Sequence, residues 1–296
     1  MAPLVDELQR VLKDEPVDLA RAALVMAKLE YPRLDPGPHL AALEALGERA
    51  AVRLARVRGT SMRPRIAALN MLLFEEERFS GNHAHYDDFR NSLLNVVLDR
   101  RLGIPITLAL VYIDVARRAG IVVQGISFPG HFLMRVAGHE PGGRVRAAAR
   151  DDDDVILDPF DAGAELNESD CRRLLARHLG GSADDAGFDP ALLRPCTPRH
   201  MLARILNNLK RTYVEMRSFP QARLVTHLLL AVEPMLLSEL RDRGLLAYHL
   251  DDYPAALRDL EDYLRLCHWK EGDDTQEREQ ILDHVKTLRR RVAGLN

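Results

Sequence analysis

The chain has 296 residues, enough for one large or two medium domains and at least one full hydrophobic core. Hydrophobic residues make up 47% and charged residues 29%, an ordinary globular balance, and the low aromatic content of 5% favours helix. A formal net charge of -3 supplies no general attraction to nucleic acid or to an anionic membrane surface.

Residues 1–80 read as helices. Leu4, Leu8 and Leu12 share one face, as do Ala20, Ala23, Leu24 and Ala27. Pro32 and the P-G-P at Pro36 to Pro38 interrupt the pattern. Apolar positions then recur from Leu40 to Val57, and a further helical run covers Ile66 to Glu77. This region is expected to be a small helical subdomain or flank. A helix from Asn91 to Arg101 follows. Pro105 opens a strongly apolar helix, I-T-L-A-L-V-Y-I-D-V-A-R-R-A-G, that stops at Gly120. Proline at the start and glycine just past the end are the usual asymmetry of helix termini. I-V-V-Q-G-I-S-F and H-F-L-M-R-V, separated by Pro129-Gly130, read as strands, and so does V-I-L-D-P-F. A helix followed by consecutive short strands predicts an α+β domain over 81–198 with a mostly antiparallel sheet. Its last part, from Asp161 to Pro198, holds loops and one helix near Asp170 to His178.

From 199 to 296 the pattern is all-helical and repeats. F-P-Q-A at Phe219 to Ala222 returns as Y-P-A-A at Tyr253 to Ala256, an offset of 34 residues. Leu206 and Leu240, and Leu230 and Leu264, keep the same offset, which is the period of the tetratricopeptide repeat. Each alanine sits where a small residue lets two helices approach. Such helices imply a protein or peptide partner.

The three cysteines, Cys171, Cys196 and Cys267, are too scattered for a disulfide framework, and none forms a C-x-x-C pair. The N-terminus lacks the basic and apolar regions of a secretory signal, and no run reaches about 18 uninterrupted apolar residues. A reduced, cytoplasmic protein is expected, without membrane contact, cofactor or metal.

Three segments carry chemistry in a recognisable order: R-L-G-I-P-I-T-L-A-L-V-Y, P-G-H-F-L-M-R-V and V-I-L-D-P-F. Helix, strand with histidine, then strand with aspartate resembles the transglutaminase and papain-like cysteine-protease superfamily. In active transglutaminase-like domains a cysteine begins the helix, where the helix N-terminus lowers its pKa. The histidine takes the proton and the aspartate orients the ring. On that resemblance His131 matches the base and Asp158 the orienting acid. Pro105 stands at the nucleophile position, with neither an ionisable side chain nor an N–H. Asp158 is placed equally well to cap the turn at Pro159. The longer runs N-S-L-L-N-V-V-L-D-R-R-L-G-I-P-I-T-L-A-L-V-Y, G-I-S-F-P-G-H-F-L-M-R-V and L-D-P-F-D-A-G resemble the bacterial SirB-one family. That resemblance covers about Ala67 to Leu266 and implies a transglutaminase-like region followed by tetratricopeptide-like helices.

Other residues have two readings each. Thr107, in the first turn of the Pro105 helix, is a weak candidate nucleophile or a partner for the helix backbone. Asn91 and Asn95 either line a cleft or serve as caps and interhelical bonds. His83 and His85 lack a well-spaced third metal ligand and read as a solvated loop. Asp151 to Asp154, balanced by Arg144, Arg146 and Arg150, read as a hydrated loop. Arg204, Lys210, Arg211, Arg217 and Arg223 are basic, but no aromatics interleave to stack nucleic-acid bases. The leading expectation is a non-catalytic interaction protein. The alternatives are a hydrolase or transferase that works through His131 and Asp158 without a cysteine, and a small-molecule sensor.

Overall fold

The computed structural model describes residues 2–59, 61–137, 154–181, 187–267 and 275–293. The chain forms two compact units: Asp14–Ile205, and Met1–Lys13 together with Leu206–Asn296.

The first unit is a helical shell around one central helix. It contains α2 (Leu19–Ala27), α3 (Gly37–Leu54), α4 (Met62–Asn70), α5 (Leu94–Arg100), α6 (Pro105–Arg118) and α7 (Glu168–Leu179). Helix α6 packs against α2, α3 and α5 and against the sheet strands β3 (Val123–Ile126) and β4 (Leu133–Val136). That contact on several sides explains its apolar sequence, buried from Pro105 through Tyr112 and again from Asp114 to Ala116. The buried Asp114 is held by Arg117 (2.8 Å) and Arg118 (2.7 Å).

Strands β3, β4, β5 (Val155–Asp158) and β6 (Ala164–Leu166) form an antiparallel sheet in chain order. Gly125 pairs with Met134, Met134 with Leu157, and Asp158 with Ala164. The three strands expected from sequence are therefore adjacent, and β6 is an addition. A second pairing, parallel and two residues long, joins β1 (Ser80–Gly81) to β2 (Leu102–Gly103) just ahead of α6. The helix expected to reach Glu77 changes at Met71 into a π-helical segment, Met71–Glu76. There the Glu77 N–H reaches back to the Leu72 carbonyl (3.0 Å), and Glu76 and Glu77 meet Arg49, Arg53 and Arg101.

The expected 1–80 flank is split between the two units. Helices α2 to α4 belong with the α6 core, whereas α1 (Ala2–Val11) packs on α9 (Phe219–Val232). Leu8 and Leu12, on the apolar face read from sequence, are buried.

The second unit also contains the later turns of α8 (Pro198–Glu215), with α10 (Leu237–His249), α11 (Tyr253–Leu266) and α12 (Thr275–Ala293). Its repeat is written into the backbone. Helices α9 and α11 each have 14 residues and begin at the equivalent Phe219 and Tyr253. The turns before them carry left-handed residues at equivalent positions, Arg217 (φ 55°) and Asp251 (φ 57°). Ser218 N–H donates to the Tyr213 carbonyl (2.7 Å) as Asp252 N–H does to that of Ala247 (3.0 Å). Ala222 and Ala256 are both fully buried. A chance match of two four-residue motifs would not reproduce these turns.

Ion pairs tie the repeat helices together. Lys210 meets Glu239 (2.6 Å) and Asp242 (2.9 Å), Arg223 meets Asp252 (2.8 Å), and Arg243 grips Asp259 through two 2.7 Å bonds. His227 lies beside Arg243 (3.3 Å), and burial, then Arg243 and Arg223, push its pKa down from an ordinary 6.5 to about 4. Between those values the unfolded chain binds a proton that the folded repeat refuses, so stability falls as pH drops through this window. His227→Gln should flatten the pH dependence of the urea midpoint between pH 6.5 and about 4. An unchanged slope would assign that dependence to other groups.

Candidate functional site

The site forms where the β3–β4 connection meets the turn after β5. His131 Nε2 lies 2.9 Å from both carboxylate oxygens of Asp158. Asp158 Oδ1 also accepts the Phe160 N–H (2.8 Å), so one carboxylate both orients the imidazole and caps the turn at Pro159. The two readings of Asp158 hold together. Nε2 faces the acid, which leaves Nδ1 as the other ring nitrogen. The His131 side chain keeps 15% of its surface exposed, enough for a ligand to reach it.

Beside the pair lies a cleft of about 490 Å³. Its lining includes Gly130, His131, Asp158, Phe160 and Asp161 from the sheet side, Leu174, Arg177 and His178 from α7, and His83 from the loop after β1. Phe160 is the hub of its rings. His83 lies against it with ring centres 4.2 Å apart, and Tyr86 (5.7 Å) and His131 (6.2 Å) meet it edge-on. Phe160 also lies so close over Gly81 that a Cβ there would come within 2.5 Å of its ring. Gly81 pairs with Gly103, two residues before Pro105, so the aromatic ring packs beside the entry to α6.

The entry to α6 is closed. Ile104, Pro105, Ile106, Thr107 and Leu108 are all buried, and none of them lines the cleft. Proline brings no N–H, and the N–H groups of Thr107 and Leu108 both donate to the Ile104 carbonyl (3.1 Å each). On the resemblance drawn from the sequence, this helix end would supply a thiol and anion-stabilising donors. Here there is no thiol, and the Thr107 and Leu108 N–H groups bond to the chain itself. Neither thiol of this unit, Cys171 or Cys196, is among the residues lining the cleft. Cys171 is buried in a core with Ile126, Phe128 and Leu133, and burial followed by the charges of Asp170, Glu168 and Asp158 pushes it up to about 11. Burial raises Cys196 as well.

The other candidate residues have structural places. Thr107 Oγ1 points its proton at the Asn91 carbonyl (2.8 Å), with the Ile104 carbonyl at 3.1 Å, and accepts the Ile104 N–H (3.1 Å). Asn91, fully buried, receives a bond from Asn82 (3.0 Å) and donates to the carbonyls of His85 (2.8 Å) and Tyr86 (3.2 Å). It thereby pins the loop that presents His83. Asn95 is buried, and its Oδ1 has no partner among the described residues. Thr107, Asn91 and Asn95 are not among the residues lining the cleft, and each of them is buried. His85 is exposed, and among the described residues no group of three or more ligating side chains is placed to hold a metal ion. Asp154 pairs with Arg135, while Asp151 to Asp153, Arg144, Arg146 and Arg150 lie outside the described residues.

Sequence reasoning did not find Phe160, Arg177, His178 or Arg204 as site residues. Arg204 donates to Ser127 Oγ (2.7 Å) and to the His131 carbonyl (2.8 Å), bracing the loop that carries the histidine. It had read as one member of a basic surface set. Arg177 and His178 are basic residues in the last turn of α7, a pattern that ordinarily signals only a helix end. Gly130 adopts φ +66°, and its bare Cα lets the His178 ring lie directly over it.

A family model described as the transglutaminase-like superfamily matches residues 38–207, and a tetratricopeptide-repeat model matches residues 209–286. The chain is 38% identical to a UPF0162 protein of Xylella fastidiosa over 267 residues, covering 90% of this chain and 89% of the relative. A UPF0162 protein of Pseudomonas aeruginosa is 33% identical over 207 residues, 68% of this chain and 67% of that protein. Human F-box only protein 21 is 29% identical over 191 residues, which are 63% of this chain but 28% of that protein. No solved structure gives a significant match.

Proposed function

The chain belongs to the transglutaminase-like superfamily, among its UPF0162 proteins, and on that premise we propose that it is a non-catalytic member that binds a protein or peptide partner. We take the UPF0162 proteins to be the SirB-one family of the sequence resemblance, and we place this protein in the cytoplasm. None of the described helices is long and apolar enough to cross a membrane.

One observation carries the non-catalytic reading. The nucleophile position holds a buried proline at the start of a helix whose first turn faces the core. Acyl transfer needs an ionised nucleophile within reach of the histidine, with donors aimed at the developing oxyanion. Pro105 supplies neither. Tetratricopeptide helices commonly mediate protein–protein interaction, which supports the partner-binding part. Purified protein is expected neither to hydrolyse nor to transfer primary amides of glutamine-containing peptides, followed by ammonia release. Activity that disappears in His131→Ala would overturn the proposal.

A second reading rests on the intact pair. His131 is oriented by Asp158 at 2.9 Å and borders an open cleft, the arrangement a general base needs to activate water or a substrate hydroxyl. Ester hydrolysis that is lost in His131→Ala but unaffected by thiol alkylation would favour it.

A further inference from the structure

We infer that the cleft beside His131 binds a carboxylate with a neighbouring amide N–H, the chemistry of a peptide C-terminus, with Arg177 as its counter-ion. The inference rests on the non-catalytic reading of the same cleft and names what the cleft holds in place of a substrate undergoing reaction.

The first ground is the state of Arg177. Helix α7 carries three arginines. Arg172 is held by Glu168 (2.6 Å), and Arg173 by Asp170 and by Ser169 Oγ (2.8 Å). Arg177, one turn further on, lines the cleft and is exposed, and no acid among the described residues pairs with its guanidinium. A planar guanidinium matches a carboxylate through two parallel hydrogen bonds. The C-terminal end of α7 opposes this with about half an elementary negative charge, less than the full charge on the arginine.

The remaining lining distinguishes a peptide end from a bare anion. His178 and His83 each offer at least one ring N–H in either neutral tautomer. Asp158 already engages His131 and the Phe160 N–H, so its oxygens are turned to the protein's own donors. Asp161 is different. It is exposed on the turn and lines the same cleft, so it can accept the amide N–H that adjoins a terminal carboxylate. Phe160 and Leu174 supply apolar surface for a side chain. A volume of about 490 Å³ lies in the usual range for small-ligand sites. Capture of a terminal carboxylate is a recurring mode of peptide recognition.

The test is calorimetric titration of the full chain with N-acetyl-trialanine, its C-terminal carboxamide, N-acetylglycine and inorganic phosphate. Arg177→Gln is compared with Arg173→Gln, an exposed arginine of the same helix that does not line the cleft. The free carboxylate is expected to bind at least roughly tenfold more tightly than the carboxamide. Arg177→Gln should abolish that preference and Arg173→Gln should retain it. Binding by N-acetylglycine equal to that of the tripeptide would place the ligand among small N-acyl acids, and weaker binding would place it among peptide ends. Both outcomes carry the carboxylate site. Equal affinity for acid and amide, a preference that survives Arg177→Gln, or phosphate binding as tight as the carboxylate would overturn it. Chromatography of the titrated samples separates the two proposals. Cleavage of the carboxamide would strike the non-catalytic reading, whereas missing acid preference strikes only this one.

Discussion

Asp158→Ala is expected to lower the stability of the transglutaminase-like unit by about 2–4 kcal/mol, through loss of bonds to the His131 ring and to the Phe160 N–H. The carboxylate is buried, and both of its oxygens lie 2.9 Å from His131 Nε2. Oδ1 also holds the Phe160 N–H at 2.8 Å. Deleting it leaves a ring nitrogen and a backbone donor to find water in a tight turn, which costs more than the net value of either bond. The effect should spread to the cleft, since Phe160 is the ring against which His83, Tyr86 and His131 pack. Asp158→Asn keeps an acceptor of the same shape and should cost markedly less. Urea unfolding of both variants, followed by circular dichroism, measures the difference. Equal loss in the two would mean that packing, and not hydrogen bonding, holds the turn.

Gly130→Ala should cost about 1–2 kcal/mol for its backbone conformation alone, because φ +66° is unfavourable for any residue with a Cβ. A second cost comes from α7. The added methyl would stand 2.5 Å from His178 Cγ and 2.9 Å from its Cβ, so the ring and its helix must move. His178 would then leave the cleft that it lines with His131 and Arg177. A double-mutant cycle isolates the share that comes from the His178 ring. His178→Ala alone should be nearly neutral for stability, since the ring is exposed. In the His178→Ala background the Gly130→Ala penalty should shrink by the ring's share, while the backbone cost and the 2.9 Å approach to the Cβ at position 178 remain. An unchanged penalty would show that the His178 ring does not resist the methyl.

Much of this architecture was legible because it is encoded locally. Pro105 and Gly120 bracket α6, and the apolar run between them has the length of a buried helix. The resemblance to the transglutaminase-like superfamily matched His131 with Asp158, and the sheet brings the two side chains together at 2.9 Å. The 34-residue offset was readable from two motifs, since helix starts and small contact residues recur at the same position of each repeat. Thr107 and Asn91 were ambiguous for a physical reason. A hydroxyl or an amide near a helix start bonds equally well to a ligand or to backbone, and only burial chooses between them. Arg204, Lys210 and Arg223 looked like one basic surface set, yet each has a different internal partner contributed by another segment.

By itself, then, the sequence determined the helix and strand order, the repeat and the proline at residue 105. Those properties depend on neighbouring residues and on chain order. Only the tertiary structure decided that the first turn of α6 faces the core, that α1 joins the repeat unit, and that α7 brings Arg177 and His178 to the Gly130 loop. Each of these depends on which distant surfaces bury one another, and no local periodicity specifies that. Pro105 was visible from the sequence alone, whereas the cleft beside His131 became visible only once distant segments had packed together.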